Sequence, residues 1–180
     1  MTGTRRKGSA PVEENPILSA IYDRRTIRQF TDRPVTEEQL TAILKAGFYA
    51  PSAHADHPCH FIILRNREHF DEIMAIFRAA ISMRTASTAI VVCGDTVRGT
   101  RWRDDGAAAS MNMLLAAYSL GLGSCWCSAS HDDERSRKLS ALLGLPAHIE
   151  PYSMIVVGYT DRKKPRPDQF DRTKLHEGRW

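Results

Sequence analysis

At 180 residues the chain is long enough to bury a substantial core as one domain, and its 42% hydrophobic and 26% charged residues are ordinary for a soluble globular protein. No apolar run reaches the length of a membrane span and the N-terminus lacks the apolar core of a signal peptide, so we expect a cytoplasmic protein with no membrane partner. The net charge of +4 is mild, and the basic residues gather at the two ends without interleaved aromatics, which argues against a nucleic-acid partner.

The start of the chain divides into an arm and a helix. Residues 1–14 are polar and contain Gly, Ser and Pro, which predicts a disordered or extended arm in front of a single domain of residues 15–180. Asn15 followed by Pro16 is typical of a helix start, with Asn as the N-cap and Pro at the first helical position. Apolar residues then fall on one face of this helix, namely Ile17, Ala20 and Ile21.

The next stretch alternates helices and strands. Thr36–Gln39 is a capping-box sequence, and it predicts a helix that carries Leu40, Ile43, Leu44 and Gly47 on one stripe. The short apolar runs Phe61–Leu64 and Ala89–Cys93 are typical of buried strands. Between them, helical spacing recurs at Phe70, Ile73, Met74 and Phe77.

The second half contains the longest predicted helix, over about residues 104–120, where three alanines precede an apolar stripe of Met111, Leu114, Leu115 and Tyr118. Glycines end this helix before a predicted strand over Ser124–Ser128. Ser130–Asp133 predicts the cap of a further helix, and Met154–Gly158 the last strand. Because helices and strands mix without strict βαβ alternation, the fold class is predicted to be α+β.

A dense basic segment follows the first helix. Arg24, Arg25, Thr26 and Arg28 place three guanidinium groups and a hydroxyl within five residues. Arginine offers a rigid fork of donors that suits phosphate oxygens, although a basic run can also be the solvated end of a helix. The sequence lacks the glycine-rich patterns that bind nucleotide phosphates in other folds, so a nucleotide cofactor would need a different holder.

Three later segments give the basic segment a context, namely Ala50–Ala53, the helix from Asp105 to Ala117, and Gly121–Trp126 with the sequence Gly-Leu-Gly-Ser-Cys-Trp. In this order and at this spacing the set resembles the nitroreductase family, over roughly residues 15–180. The resemblance implies a central, mostly antiparallel sheet surrounded by helices. It also implies an intertwined homodimer that binds FMN.

The resemblance assigns cofactor contacts to three regions. It implies that Arg24, Arg25, Thr26 and Arg28 bind the phosphate, the ribityl chain and the ring edge of FMN. It places Pro51, Ser52 and Ala53 beside the flavin. Backbone N–H groups near Ser128 and Ala129 are implied to reach the N5 and O4 region, where such donors stabilise developing charge.

The chain departs from the family pattern in two places. Where relatives commonly carry Asn and then Gln-Pro-Trp, this sequence has Ala55, His57, Pro58 and Cys59. We predict that Ala55 and His57 still lie at the cofactor, with His57 as a donor and a substrate contact in place of Gln. Near the C-terminus, relatives place basic residues separated by one position on the phosphate, and the nearest matches here are Pro167 and Gln169. Arg166 lies one position out of register, and we predict that Arg166 and Gln169 contact the cofactor.

Several side chains of the metal-ligand type lie close together, namely His54, His57, Cys59 and His60. Zinc takes His and Cys ligands, but neighbouring residues at the start of a strand point apart, so we predict no metal site. Cys125 and Cys127 share one face of a predicted strand, so a redox pair is one alternative. Buried thiols are the interpretation that we favour for this pair, and free thiols for all four cysteines.

These expectations combine into a predicted enzyme without a catalytic triad or dyad, because the flavin supplies the chemistry. The resemblance implies an FMN-dependent oxidoreductase that passes electrons from NADH or NADPH to a nitroaromatic, quinone or similar conjugated acceptor by a ping-pong mechanism. Two alternatives stay open. One is a family specialist that acts on flavin or on a halogenated aromatic, and the other is a module that binds flavin for storage or sensing.

Overall fold

Two compact units make up the structure. A computed structural model describes residues 15–129 and 133–180, so the predicted arm over residues 1–14 lies outside the described part. The larger unit is Arg24–Arg162, and the smaller unit joins residues 15–23 to Lys163–Trp180.

Four strands form the centre of the larger unit. They are β1 (Cys59–Leu64), β2 (Thr88–Asp95), β3 (Gly123–Ser128) and β4 (Ile149–Gly158), in the spatial order β1-β2-β4-β3. Every neighbouring pair is antiparallel, with Ile62 opposite Val91 and Val91 opposite Met154. The predicted α+β class with an antiparallel sheet is therefore confirmed.

The predicted helices are all present. They are α1 (Pro16–Asp23) in the smaller unit, then α2 (Glu37–Phe48), α3 (Arg67–Ile76), α4 (Trp102–Ser119) and α5 (Asp133–Leu143) in the larger one. A 3-10 segment at Arg78–Arg84 was not predicted, because so short an element has no 3.6-residue periodicity to detect. Within residues 15–129 and 133–180, none of the helices combines the length and the apolar character that a membrane span needs.

Helices cover both faces of the sheet. Val91, Met154 and Val156 pack into one core with α3, α5 and the 3-10 segment, which contribute Phe70, Ile73, Met83 and Leu139. The alternate residues Ile90 and Ile155 belong to a second core with α2 and α4, which contribute Ile43 and Met113. Because successive side chains of a strand point to opposite faces, the two cores lie on opposite sides of the sheet. A cavity described below lies beside α2 and the first turn of α4.

Strand β4 is longer than the predicted Met154–Gly158, because it begins at Ile149. The sequence does not predict this extension because it contains Pro151, and proline lacks the N–H that donates hydrogen bonds between strands. The structure accommodates Pro151 opposite Cys93, next to a register shift between Val92 and Cys93. Such a bulge lets a strand continue past a residue that cannot donate.

Local capping at the helix starts agrees with the sequence. The Thr36 Oγ1 atom accepts from the N–H of Gln39 at 3.2 Å, and the Gln39 side chain accepts from the N–H of Thr36 at 3.1 Å. This reciprocal pair satisfies two N–H groups that the helix leaves unpaired. The cap predicted at Ser130–Asp133 lies mostly outside the described residues.

The smaller unit is held by its own polar contacts. Asn15 caps α1, because its side-chain oxygen accepts from the N–H groups of Ile17 and Leu18 at 3.0 and 3.2 Å. At the other end of α1, Arg166 donates through two nitrogens to both carboxylate oxygens of Asp23 at 2.6 and 2.8 Å. This bidentate pair links the C-terminal stretch to the helix.

Candidate functional site

The arginine segment, residues Arg24–Arg28, lies along strand β3 at one edge of the sheet. Thr26 forms a parallel bridge with Ser124, and the N–H of Ile27 donates to the Ser124 carbonyl at 2.8 Å. Ile27 is buried and packs closely on Gly123, where an added Cβ would lie 3.0 Å from Ile27 and 2.9 Å from Thr160. Backbone pairing and packing thus hold the segment in one place on the sheet edge.

The electrostatic surroundings of Arg24 favour the binding of an anion. Partial burial lowers the pKa of the Arg24 guanidinium, and the positive charge of Arg25 beside it lowers that pKa further. In the part of the chain that the structure describes, the buried Nε atom of Arg24 has no hydrogen-bond partner. A buried donor without an acceptor is costly, and an anion would satisfy it and offset the repulsion between the two arginines. The segment therefore fits the phosphate of FMN.

Arg28 is exposed, and it acts on two thiols of β3. Cys125 and Cys127 are buried and free, as predicted, with their Sγ atoms 4.0 Å apart. The hydrogen bond between the thiols lowers the pKa of Cys125 and raises that of Cys127, while burial raises both and Arg28 lowers both. The two thiols are thus buried in the sheet, and Arg28 lies close enough to lower the pKa of each.

The second region is the 52–57 loop, residues Ser52–His57, which joins α2 to β1. Its anchor is Asp105 in the first turn of α4, which the sequence did not single out for a site role. The Ser52 hydroxyl donates to one Asp105 carboxylate oxygen at 2.8 Å, and the Ala53 N–H donates to the other at 3.0 Å. The Ser52 oxygen in turn accepts from the N–H of His57 at 2.9 Å.

The backbone of this loop is strained. His54, Ala55 and His57 have φ values of +55°, +59° and +47°, in the left-handed region that glycine prefers. Each such residue costs about 1 to 2 kcal/mol when it carries a side chain. The loop keeps this shape only because contacts around it compensate, and strain of this kind is frequent at functional sites.

A cavity of about 250 Å³ opens beside the loop. Its lining is mainly apolar with a few polar groups, namely Gly47, Phe48, Ala50, Pro51, Ser52, His57, Pro58, Cys59 and Asp105. Burial, together with the charge of Asp105, raises the pKa of the Cys59 thiol to about 11, so Cys59 is protonated at neutral pH. An apolar pocket with a few fixed polar groups is typical of small-molecule sites.

The remaining predicted contacts lie at two further places. Ser128 is exposed at the end of β3, and the N–H of Ala129 donates to the Tyr152 carbonyl at 2.9 Å. Arg166 binds Asp23 within the smaller unit, and Gln169 is exposed there. The roles assigned to these four residues at the cofactor stay predictions.

Metal-ligand side chains are not grouped in the described ranges. No set of three His, Cys, Asp or Glu residues in residues 15–129 and 133–180 is placed to hold a metal ion. The signal that could have revealed Asp105 is its position on the buried face of α4, four residues before Ala109 and eight before Met113. A carboxylate on an apolar helix stripe needs partners, and the loop supplies them.

Comparison with known proteins covers most of the chain. The sequence model of the Nitroreductase family matches residues 21–108 and 82–159. A protein of Archaeoglobus fulgidus named "Putative NADH dehydrogenase/NAD(P)H nitroreductase" is 38% identical over 170 residues, which are 91% of this chain and 98% of that protein.

Solved structures give the same result. The crystal structure of a protein of the same name from Parabacteroides distasonis has a TM-score of 0.90 at 36% identity, over 93% of this chain and all of the other. An FMN-dependent nitroreductase from Clostridium difficile has a TM-score of 0.85 at 27% identity, over 91% of this chain and 99% of the other. The arginine segment and the 52–57 loop both lie within the region that the family model matches.

Proposed function

The chain belongs to the nitroreductase family, and on that premise we propose that it passes electrons from NADH or NADPH to a nitroaromatic, quinone or similar conjugated acceptor. It is an NAD(P)H-dependent FMN oxidoreductase, in line with relatives whose names specify nitroreductase activity and FMN dependence. When bound, FMN supplies the electron-carrying chemistry, and the protein supplies binding, orientation and electrostatics.

The observation that carries this proposal is the unsatisfied, buried Nε of Arg24 beside the charge of Arg25. Arg24, Arg25 and Arg28 would hold the phosphate, and the Thr26 hydroxyl would add a further hydrogen bond. Charge-assisted bonds to a dianionic phosphate are among the strongest that side chains make. Because the segment is paired with β3, its donors are positioned before the cofactor arrives.

The cavity beside the 52–57 loop supports the choice of a conjugated acceptor. Its apolar walls, which include Phe48 and Pro58, suit a flat aromatic or quinone ring. His57 is exposed where it lines this cavity, so its imidazole can donate to a nitro or carbonyl oxygen. In this proposal Pro51, Ser52, Ala53 and Ala55 form the wall that faces the flavin.

A single site is proposed to serve the electron donor and the acceptor in turn. The sequence has no dinucleotide-binding GxGxxG pattern that would hold the nicotinamide cofactor separately. One shared site requires the oxidised nicotinamide to leave before the acceptor enters. The expected kinetics are therefore those of a substituted-enzyme, or ping-pong, mechanism.

We also propose a homodimer in which the partner covers exposed apolar side chains near the cavity. Phe48 and Tyr49, at the end of α2, are 62% and 85% exposed, and Met111 on α4 is 38% exposed. Large apolar side chains that are exposed next to each other, as Phe48 and Tyr49 are, are typical of protein interfaces. The intertwined dimer implied by the family resemblance would place both chains at each flavin.

The test begins with the absorbance spectrum of the purified protein. We expect a yellow protein, or one that becomes yellow with added FMN, whose flavin absorbance bleaches when NADH or NADPH is added without oxygen. Double-reciprocal plots should be parallel, and His57→Gln should change kcat/KM for the acceptor more than the rate of bleaching. A yellow protein that does not bleach would instead indicate a flavin-binding module, and a protein that FMN cannot reconstitute would contradict both functions.

A further inference from the structure

We infer that Asp105 is a positioning residue that holds the 52–57 loop in the shape in which the loop meets the flavin. The inference rests on the proposed function, because that proposal places the loop at the cofactor. Asp105 itself lies on α4, so it acts through the loop residues to which it is bonded.

In the part of the chain that the structure describes, the Asp105 carboxylate is buried and accepts its hydrogen bonds from the loop. Asp105 is 6% exposed, and its two oxygens accept from the Ser52 hydroxyl and from the Ala53 N–H. Among residues 15–129 and 133–180, no positively charged side chain forms an ion pair with it. A buried charge needs such donors, so α4 and the start of the loop stabilise each other.

Two successive hydrogen bonds connect Asp105, through Ser52, to His57 at the far end of the loop. The Ser52 hydroxyl donates a hydrogen bond to Asp105, and the same oxygen accepts one from the N–H of His57 at 2.9 Å. One carboxylate thereby sets the position of the loop start and, through one hydroxyl, of His57. His57 is the residue that we propose to contact the acceptor.

The strained backbone of the loop explains why the hydrogen bonds of Asp105 are needed. His54, Ala55 and His57 occupy the left-handed region, from which residues with side chains relax when constraints are removed. A second tie exists at Asp56, whose carbonyl accepts from Arg98 Nε at 2.5 Å, so the loop stays attached at that point when Asp105 is changed. Loss of Asp105 is therefore expected to loosen the loop without detaching it.

The experiment compares Asp105→Asn with Asp104→Asn in the FMN-loaded protein. Both variants remove one negative charge from the same turn of α4, but Asp104 is exposed. Asn has the shape of Asp, so the variant should fold, but its amide group presents donors to the Ser52 hydroxyl. Amide exchange at Ala53 and His57 should rise about fivefold in Asp105→Asn, because a charge-assisted bond is about twice as strong as a neutral one. Exchange in β2 and β4 should not change.

Flavin titrations separate this role from a general loss of structure. Asp105→Asn should weaken FMN and riboflavin by the same factor, about fivefold, because the loop is proposed to face the ring and not the phosphate. Ser52→Ala should reproduce the effect, and the double variant should add little, since both act through one bond. Asp104→Asn should leave both affinities unchanged.

Each outcome is decisive. Unchanged exchange in the loop overturns the positioning role of Asp105, and so does increased exchange throughout β2 and β4, which would indicate a role in global stability. Faster loop exchange with unchanged FMN and riboflavin affinities supports the anchor but contradicts the proposed placement of the loop at the cofactor. Failure of the wild-type protein to bind FMN at all would contradict the proposed function itself.

Discussion

The two halves of the candidate site are built in opposite ways. The arginine segment lies along a regular strand, and its proposed function rests on charge and on an unsatisfied donor at Arg24. The 52–57 loop has little charge of its own and owes its shape to three left-handed residues and a distant carboxylate, Asp105. Backbone pairing with a strand is thus enough to position a segment of charged side chains. The irregular 52–57 loop, in contrast, needs hydrogen bonds from another element, α4.

The difference also affects how each half should respond to mutation. At the arginine segment, one side chain supplies one or two contacts to a ligand, so its loss should reduce affinity for the charged part of that ligand alone. At the loop, one side chain supports several backbone positions, so its loss should spread along the loop. The following predictions test this contrast, beginning with the largest expected effect.

Arg24→Ala should weaken FMN binding by about 1.5 to 3 kcal/mol, the contribution of a hydrogen bond to a charged group. Riboflavin, which lacks the phosphate, should bind the wild-type protein more weakly and be almost unaffected by the change. Fluorescence titration with both flavins measures this, with Arg137→Ala on the exposed side of α5 as the control. Equal losses for FMN and riboflavin would show that Arg24 does not bind the phosphate.

Phe48→Glu should weaken self-association, because it places a charge on the exposed apolar surface next to the loop. Burial of a phenylalanine contributes about 1.5 to 3 kcal/mol, so the dimer dissociation constant should rise about tenfold or more. Light scattering or ultracentrifugation measures it, and the expected interface buries more than about 2,000 Å² in total.

The matched control for Phe48 is Ile81→Glu in the 3-10 segment, where the side chain is also exposed but lies away from the cavity. A monomer mass for the flavin-loaded wild-type protein would refute the dimer. Equal effects of the two variants would move the interface away from the loop.

Ala55→Gly should raise the stability of the protein by about 1 kcal/mol, because glycine adopts the left-handed φ of +59° without a steric cost. For a chain of this size the melting temperature should rise by about 2 to 4 °C. Ala53→Gly is the control in the same loop, since Ala53 is not among the left-handed residues and gains nothing from glycine. A lower melting temperature for Ala55→Gly would mean that the loop is not strained at this residue.

The Cys59 thiol reports on the charge of Asp105. Because burial and that charge raise the pKa of Cys59 to about 11, the thiolate is scarce at pH 8, and alkylation should be slow and accelerate up to about pH 11. Asp105→Asn removes one cause of the raised pKa, so alkylation at pH 8 should become faster, whereas Asp104→Asn should change it less. Mass spectrometry of the Cys59 peptide measures the rate, and Cys59→Ser identifies the site. A plateau near pH 9 in the wild-type protein would contradict the raised pKa.

Raised thiol pKa values also set the response of stability to alkaline pH. Burial raises the pKa of Cys93 to about 12, from an ordinary value of 9.0 that the unfolded chain would show. The unfolded state therefore releases its proton first, so stability is complete below pH 9 and falls as the pH rises towards 12. Cys93→Ala should make the loss of stability over this interval shallower, as measured by denaturant unfolding at several pH values.

Much of the secondary structure can be predicted from the sequence, because it depends on interactions between residues that are close together in the chain. The Thr36 capping box needs only residues three apart, and β1 and β2 contain short apolar runs that are visible in the sequence. The arginine segment is equally local, since the donors that suit a phosphate are adjacent in the chain. The family resemblance, now confirmed, joined these pieces into one fold.

Other features depend on residues far apart in the sequence, and only the tertiary structure decided them. The β1-β2-β4-β3 order and the bulge that accepts Pro151 arise when strands meet across the sheet. Asp105 lies 53 positions from Ser52, and their hydrogen bond exists only because α4 packs behind the loop. The left-handed backbone at Ala55 has no signal of its own, because alanine does not favour it and the surrounding contacts impose it. Local sequence preferences determine the helices, the strands and the run of arginines. Packing between elements that are distant in the sequence determines the shape of the 52–57 loop.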